Sequence, residues 1–431
     1  MSTISNLPPS GTRDFSTSDL LLRSEVFSKL EALSKQRGFC RIDTPAIENI
    51  DTLSGKYGEE GEQLIFKILK RGEGESTGLA DMALRYDLTV PTMRYYSRYK
   101  EKLPKIFKRY QFGPVWRADR PGKDRYREFF QFDFDIIGSA SIMSDIECIK
   151  ILADSLISLN LSEFTIQLNS RGVLESLLRS YDLNQEIWPD IIKSMDKIDK
   201  IGISGFKLEL EKINIESALR SLLISDFSDD DFESVVRERV LSQPEGKKLL
   251  REIDLIISIV QKNNSSFKIK FNPYLARGLD YYTGPIYEVT IDGVKGSIAA
   301  GGRYDKLSGL FLKKIVPVCG SSLGIERILS LVTADKISDS APRVYVGIWS
   351  DDDFETVNDL VNLLRNNNII TEINLLKGKI GEQIGYAAKM EFTYFIFQGP
   401  DEIKNNSVVI KNLKTEKQDS ILITELCNYL T

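Results

Sequence analysis

At 431 residues and 42% hydrophobic, the chain is long enough for two or three globular domains with their own cores, and is neither low-complexity nor disordered in composition. A net charge of −5 excludes a protein that coats nucleic acid indiscriminately, because counterion release needs a broad basic surface. No run approaches the roughly 18 consecutive apolar residues of a membrane span, and Met1–Ser10 lacks a secretory signal's basic start and apolar run, so a cytoplasmic, membrane-free protein is expected.

In chain order, Leu22, Val26, Leu30 and Leu33 have the spacing of a helix from Ser16 to Arg37, stopped at Gly38. A strand-like run follows over Phe39–Ile47. Lys70–Ala80 (KRGEGESTGLA) reads as a glycine-rich mobile loop, and Ala83–Val90 returns to regular structure. Phe107–Asp135 reads as a β-hairpin, followed by a helix over Ser144–Leu159 and a strand over Phe164–Leu168. From Tyr181 to Phe267 the pattern is helical and charged, with an acidic cluster at Asp226–Asp231, and is taken as a helical insertion. Tyr274–Asp305 is β-branched, aromatic and glycine-rich, suggesting strands that line a site; Gly320–Val332 looks like a glycine-started helix. A polar boundary at Ser338–Pro342 precedes short apolar strands at Val344–Trp349, Thr371–Leu375, Tyr394–Phe397 and Val408–Ile410. With helical periods such as Phe354–Leu364 between them, these predict a separate α/β domain with a largely parallel sheet. Cys40, Cys148, Cys319 and Cys427 have no C-x-x-C spacing and are expected to be reduced, mostly buried thiols.

The chain contains no histidine. That removes the usual general base and the commonest metal ligand, so serine–histidine and cysteine–histidine mechanisms are excluded, and the scattered cysteines have no histidine to complete a zinc site. Any chemistry must run on carboxylates, arginines, tyrosines and backbone groups. Compositional drift, deliberate engineering or adaptation to histidine scarcity would each leave such a chain.

The hairpin is the chemically informative segment. From Arg98 to Arg127 eleven Lys or Arg stand against three acids, a basic island in an acidic chain. Its second strand, Glu128–Ile137, alternates: Phe130, Phe132, Phe134 and Ile136 fall on one face, Phe129, Gln131, Asp133 and Asp135 on the other. An ordinary strand with one wet face would show the same alternation. Two acids and an amide beneath an arginine-laden loop, however, suit a ligand carrying both an ammonium and a phosphate.

The run Pro114–Asp135, with its G-P-V-W-R entry, basic loop and F-x-Q-x-D-x-D strand, resembles motif 2 of class II aminoacyl-tRNA synthetases in the form used by the histidyl-tRNA synthetase family. GTRDF at Gly11–Phe15, DTPAIE at Asp43–Glu48 (motif 1-like) and LRYDLTVP at Leu84–Pro91 fit the same family. So do the histidine-site signatures RGLDYYTGPIYE at Arg277–Glu288 and AGGRYDKL at Ala300–Leu307, and SLGIERIL at Ser322–Leu329 (motif 3). The resemblance implies an α+β catalytic domain over 1–335 with a class II antiparallel sheet and a helical insertion at 181–267, then an anticodon-binding α/β domain over 342–431. It implies a ligase that joins L-histidine to ATP as histidyl-adenylate and transfers histidine to tRNA(His).

It also implies residue roles. Arg117 and Arg277 act at the reacting phosphate, and Arg117, Asp119, Arg125 and Arg327 bind ATP. Asp87, Thr89 and Gln131 take the α-ammonium; Asp135 and Tyr282 meet the imidazole, with Tyr304 nearby. ATP and Mg2+ are the implied cofactors, with no metal held by protein His or Cys. A homodimer is implied through motif 1 around Pro45 and Glu48. Gly122 stands where bacterial members often carry glutamine, leaving Lys123 for a phosphate contact with the acceptor stem. A carboxylate nucleophile is ionised at neutral pH and needs no general base, so the absence of histidine is no obstacle to the first step. In the second step a phosphate oxygen of the adenylate or the substrate's own imidazole could accept the ribose proton. Two other readings are a non-catalytic relative resembling the regulatory subunit of the first histidine-biosynthesis enzyme and a class II synthetase for another amino acid. The three arginines and the C-terminal module speak against the first, and the two histidine-site signatures against the second.

Overall fold

A computed structural model of the chain describes residues 5–122, 125–277, 281–332, 342–350, 353–375 and 378–430, with only the backbone at 58–60 and 199. Two compact units emerge, Met1–Ile337 and Ser338–Thr431, each with its own hydrophobic core.

The larger unit contains strands β1 (Cys40–Arg41), β2 (Ile47–Asn49), β3 (Lys67–Leu69), β4 (Ala80–Leu84), β5 (Phe107–Trp116), β6 (Glu128–Ile137), β7 (Phe164–Ser170), β8 (Phe267–Phe271), β9 (Pro285–Ile291), β10 (Ala299–Arg303) and β11 (Val318–Gly324). Eight of them form one sheet in the order β1-β5-β6-β11-β10-β9-β7-β8. The pairs β1/β5 and β7/β8 are parallel and the five central pairings antiparallel. A small second sheet has the order β2-β4-β3. One face of β5 and β6 carries the aromatic set Tyr110, Phe112, Phe132 and Phe134, whose rings stack on one another and on Phe27 of the helix Thr17–Gln36. That helix starts at a capping box in which Ser16 and Asp19 satisfy each other's backbone N–H groups. The helix Ile142–Ser158 buries Ile146, Ile149 and Leu152 in the same core. With one face given to the core, period-two alternation sends Arg109, Gln111, Gln131, Asp133 and Asp135 to the other.

Several expectations are corrected. Phe39–Ile47 is not one strand: β1 and β2 flank an irregular stretch and belong to different sheets. The glycine-rich loop contains a short helix, Glu73–Thr77, ended by Gly78 in the left-handed region at φ 71°. Gly320–Val332 begins as strand, because β11 lies between β6 and β10 and must complete their ladders; its helix starts only at Ile325. The helical segment expected over 181–267 is helical, with Trp188–Met195, Ile198–Glu211, Ser217–Phe227, Phe232–Leu241 and Gly246–Gln261. It forms most of the crossover that parallel neighbours β7 and β8 require, and its Phe206, Phe227 and Phe232 belong to the main core. Cysteine burial divides evenly: Cys148 and Cys319 are buried, Cys40 is exposed and Cys427 lies between.

The smaller unit carries β12 (Arg343–Val346), β13 (Ile370–Ile373), β14 (Tyr394–Phe397), β15 (Ser407–Asn412) and β16 (Gln418–Leu422) in the order β13-β12-β14-β15-β16. Two pairings are parallel and two antiparallel, so the sheet is mixed rather than largely parallel. The polar boundary expected at Ser338–Pro342 falls almost wholly outside the described residues.

Candidate active site

The face of the large sheet opposite the aromatic core is floored by small residues. Register places Arg109, Asp135, Gly320 and Gly302 side by side across β5, β6, β11 and β10; two residues along lies Gln111, Asp133, Ser322 and Ala300, reaching Glu288 on β9. A Cβ on Gly320 would stand 2.0 Å from Asp135 Oδ1, and one on Gly302 would stand 2.8 Å from the Tyr282 ring. The two glycines therefore make room for an acid and a tyrosine of the site rather than forming a turn.

Three carboxylates gather here. Asp87, buried just before the helix Thr89–Tyr99, accepts from the Val90 N–H at 3.0 Å and from the Tyr57 hydroxyl at 3.1 Å. Burial raises it above the ordinary carboxylate range, against the pull of these donors and of Arg117. Burial pushes Asp133 up to about 6 and Asp135 up to about 7; Arg109 opposes both, and the negative neighbours add to the rise. Asp133 Oδ1 and Gln131 Oε1 are buried acceptors without a protein donor among the described residues, while Gln131 Nε2 donates to Ser322 Oγ at 2.8 Å. Unmatched acceptors beside raised carboxylates favour a cation carrying N–H groups.

Arg117 leaves the end of β5 with its guanidinium 4.3 Å from the Tyr86 ring centroid and 5.2 Å from that of Phe129. Its Nε donates to the Tyr86 carbonyl at 3.2 Å, which fixes the fork while its terminal amino groups make no hydrogen bond among the described residues. The stacked cation abuts the acidic trio: its charge lowers both Asp87 and Asp133. In the loop, Arg125 Nη2 donates to Asp119 Oδ1 at 2.7 Å, so the two expected ATP ligands pair with each other in this structure. Lys123 lies outside the described residues.

Arg277 pairs with Glu288 of β9. Burial disfavours its charge, yet Glu288 more than compensates and its proton is held above the usual arginine range. Arg327 donates to the Ser297 carbonyl in the β9–β10 connection, where Gly296 lets the guanidinium approach. Tyr281, Tyr282 and Tyr304 form an aromatic cluster with centroids 4.9 to 6.4 Å apart, and the Tyr304 hydroxyl donates to Asp135 Oδ1. Thr89 occupies the first turn of its helix, half-buried. Gly278–Asp280 of the first histidine-site signature lie outside the described residues.

Asp87, Asp135, Tyr282 and Tyr304 are thus linked by direct contact or by their charges, with Arg117 beside Asp87, while Gln131 shares the face and is held by Ser322. Asp119 and Arg125 sit together on the loop, and Arg327 lies on the helix Ile325–Leu331. Sequence reasoning missed Arg109 and Tyr57 and underrated Asp133. The N-terminal GTRDF segment is also part of the frame: Arg13 pairs with Glu326, beside Arg327, and the Gly11 carbonyl accepts from the Arg127 N–H at 2.7 Å.

An antiparallel sheet with motif 2 on β5 and β6, motif 3 on β11 and its helix, and a buried acidic face beside a stacked arginine fits the catalytic unit of a class II aminoacyl-tRNA synthetase. The histidyl-tRNA synthetase family profile matches residues 11–328, and an anticodon-binding domain profile matches 343–431. The chain belongs to the histidyl-tRNA synthetase family, whose reaction charges tRNA(His) with histidine at the expense of ATP. A histidine–tRNA ligase of Christiangramia forsetii is 35% identical over 96% of this chain and 96% of its own. The crystal structure of histidyl-tRNA synthetase from Nostoc sp. PCC 7120 shares 27% identity and a TM-score of 0.80, covering 99% of both chains. A structure titled ATP phosphoribosyltransferase regulatory subunit/histidyl-tRNA synthetase from Bacillus halodurans C, at 18% identity and TM-score 0.73 over 89% of this chain, is a likeness of fold alone.

Proposed function

We propose that the acidic trio binds L-histidine and that Arg117 and Arg277 flank the α-phosphate of ATP during adenylate formation. The observation that carries this reading is the buried face where Asp133 Oδ1 and Gln131 Oε1 find no donor among the described residues, beside the raised Asp87 and Asp135. An ammonium supplies donors to Asp87, Gln131 and Asp133, Thr89 borders it, and the imidazole lies between Asp135, Tyr304 and Tyr282. The histidine carboxylate oxygen attacks the α-phosphorus, the bond to the bridging oxygen breaks, and pyrophosphate leaves with that electron pair. No proton transfer is needed. Two guanidiniums stabilise charge that builds on the phosphate oxygens, and their planar forks match that geometry. Arg327 and the Asp119–Arg125 pair border the nucleotide. Among the described residues no three Cys, Asp or Glu side chains gather as a metal cage. Magnesium arriving with ATP would be coordinated by phosphate oxygens and water.

A homodimer through motif 1 is part of this reading. Glu48 is buried against Arg94 at 2.7 Å. Beside that pair a groove of about 350 Å³, lined by Pro45, Ile47, Met82 and Arg98 among others, leaves Ile47 half exposed. Sedimentation is expected to give a dimer; a stable, active monomer would remove the motif 1 assignment. Among the described residues no helix is long and apolar enough to cross a membrane, and a cytoplasmic location completes the proposal.

The direct test is ATP–pyrophosphate exchange with each amino acid in turn. Histidine alone should support exchange, and Arg277→Ala should fold normally yet lose on the order of 10³-fold or more in exchange rate. Exchange with a different amino acid, or a near wild-type rate in that variant, would contradict the assignment.

A further inference from the structure

Arg109 has no part in the chemistry described so far, yet its surroundings are unusual. It is the largest fully buried side chain of the described residues, at 0% exposure, and it pairs with Asp135, which is 3% exposed. The two stand directly opposite on β5 and β6. Arg109 Nη2 meets Asp135 Oδ2 as an ion pair, but none of the three guanidinium nitrogens makes a well-formed hydrogen bond among the described residues. An arginine retained to tie the fold together would have its donors matched, and a buried ion pair adds little stability over a well-packed apolar pair. The placement is that of a charge aimed at one carboxylate.

We propose that Arg109 is a positioning residue for amino-acid selection, holding Asp135 as an oriented anion that accepts the substrate's imidazole N–H. The inference rests on the reading of Asp135 given above. Each neighbour has a definable part. From β5, Arg109 meets Asp135 Oδ2; from the end of β10, Tyr304 donates to Oδ1. From β11, Gly320 contributes no side chain, and any Cβ there would displace the carboxylate. On its own strand Asp133, and from the segment before the helix at Thr89, Asp87, present negative charge. Arg109 thus supplies the positive charge at this carboxylate. Burial pushes Asp135 up to about 7 even so. With a neutral side chain at 109 the acid would keep its proton at neutral pH, and a protonated carboxyl is a poorer acceptor for a ring N–H. Arg109 reaches Asp135 from the neighbouring strand, so it acts through that residue and not on the substrate.

The test uses the full-length protein in ATP–pyrophosphate exchange, with KM for histidine and for ATP measured separately from about pH 6 to about pH 9. The variants are Arg109→Met, Arg109→Lys, Asp135→Asn and the double Arg109→Met/Asp135→Asn. Arg109→Met should raise the histidine KM about tenfold or more near pH 7.5 and leave the ATP KM within about twofold. Its deficit should shrink toward high pH, where Asp135 ionises without help. Arg109→Lys should recover part of the loss, and in the Asp135→Asn background Arg109→Met should add nothing. Equal rises in both KM values, a pH-independent loss, or additivity in the double variant would overturn the proposal. If Arg109→Met does not fold, Arg109→Lys decides: a loss confined to the histidine KM and relieved at high pH supports the proposal, and any other outcome, a wild-type profile included, overturns it. A wild-type histidine KM in Asp135→Asn would instead overturn the reading of Asp135 itself, a separable result.

Discussion

Asp133 and Asp135 are two residues apart on one buried face, and burial sets their titration at about 6 and about 7. Both folded values lie above the ordinary 3.8, so the neutral forms favour the folded state. That contribution is complete below about pH 4 and is lost as pH rises through about 6 to 7. The ligand-free protein should therefore lose stability on the order of a few kcal/mol from these two groups between about pH 5 and pH 8. Asp135→Asn should flatten that part of the curve, as thermal melts at several pH values would show; an unchanged slope would mean that Asp135 is not the buried acid described. Histidine should raise the melting temperature more at pH 8 than at pH 6, because the ionised face is what its ammonium meets. At this scale strict alternation was enough to put Gln131, Asp133 and Asp135 on one face of β6, whereas the parts proposed for Asp87, Thr89 and the arginines rest on motif context. Tyr57 was not, because nothing in its sequence neighbourhood marks a tyrosine that will donate to a carboxylate thirty residues away.

Among the elements, β5 and β6 do most to organise the site, and more of their pairing was readable than the sequence reading used. Counting out equally from Gly122 pairs Arg117 with Arg127, and the same count sets Arg109 against Asp135, as the structure does. The hairpin's alternation therefore already held the buried ion pair. The strand nature of Gly320–Gly324 was hidden because a run of glycine and serine has weak propensity of its own; its conformation is imposed by β6 and β10 on either side. Gly320 is consequently the sensitive position of this element. Gly320→Ala would bring a Cβ to 2.6 Å from the Phe134 carbonyl as well as against Asp135, and should cost about 1 to 3 kcal/mol with a weakened histidine KM. Gly122→Ala, with open space around it, should change stability by less than about 0.5 kcal/mol in the same denaturation assay. Equal effects at the two sites would contradict the packing described. Strand β16 escaped detection for a different reason: as an edge strand its residues Gln418, Asp419 and Ser420 are exposed, so no apolar period marks it.

For the whole molecule, the two units have separate cores, and the carboxylates and arginines of the site all belong to Met1–Ile337. A chain ending near 337 should keep histidine-dependent pyrophosphate exchange within about tenfold of the full protein, yet charge tRNA(His) far less efficiently, since the smaller unit matches an anticodon-binding profile. Loss of exchange in a folded truncation would show that the activation site depends on the smaller unit. The face proposed to receive the substrate is made of aspartate, glutamine, serine, tyrosine and arginine, and the whole chain offers no imidazole. Magnetic resonance therefore gains a silent background. With isotope-labelled histidine bound, every ring nitrogen and carbon signal belongs to the substrate, and its tautomer and protonation beside Asp135 can be read without a single protein resonance to subtract.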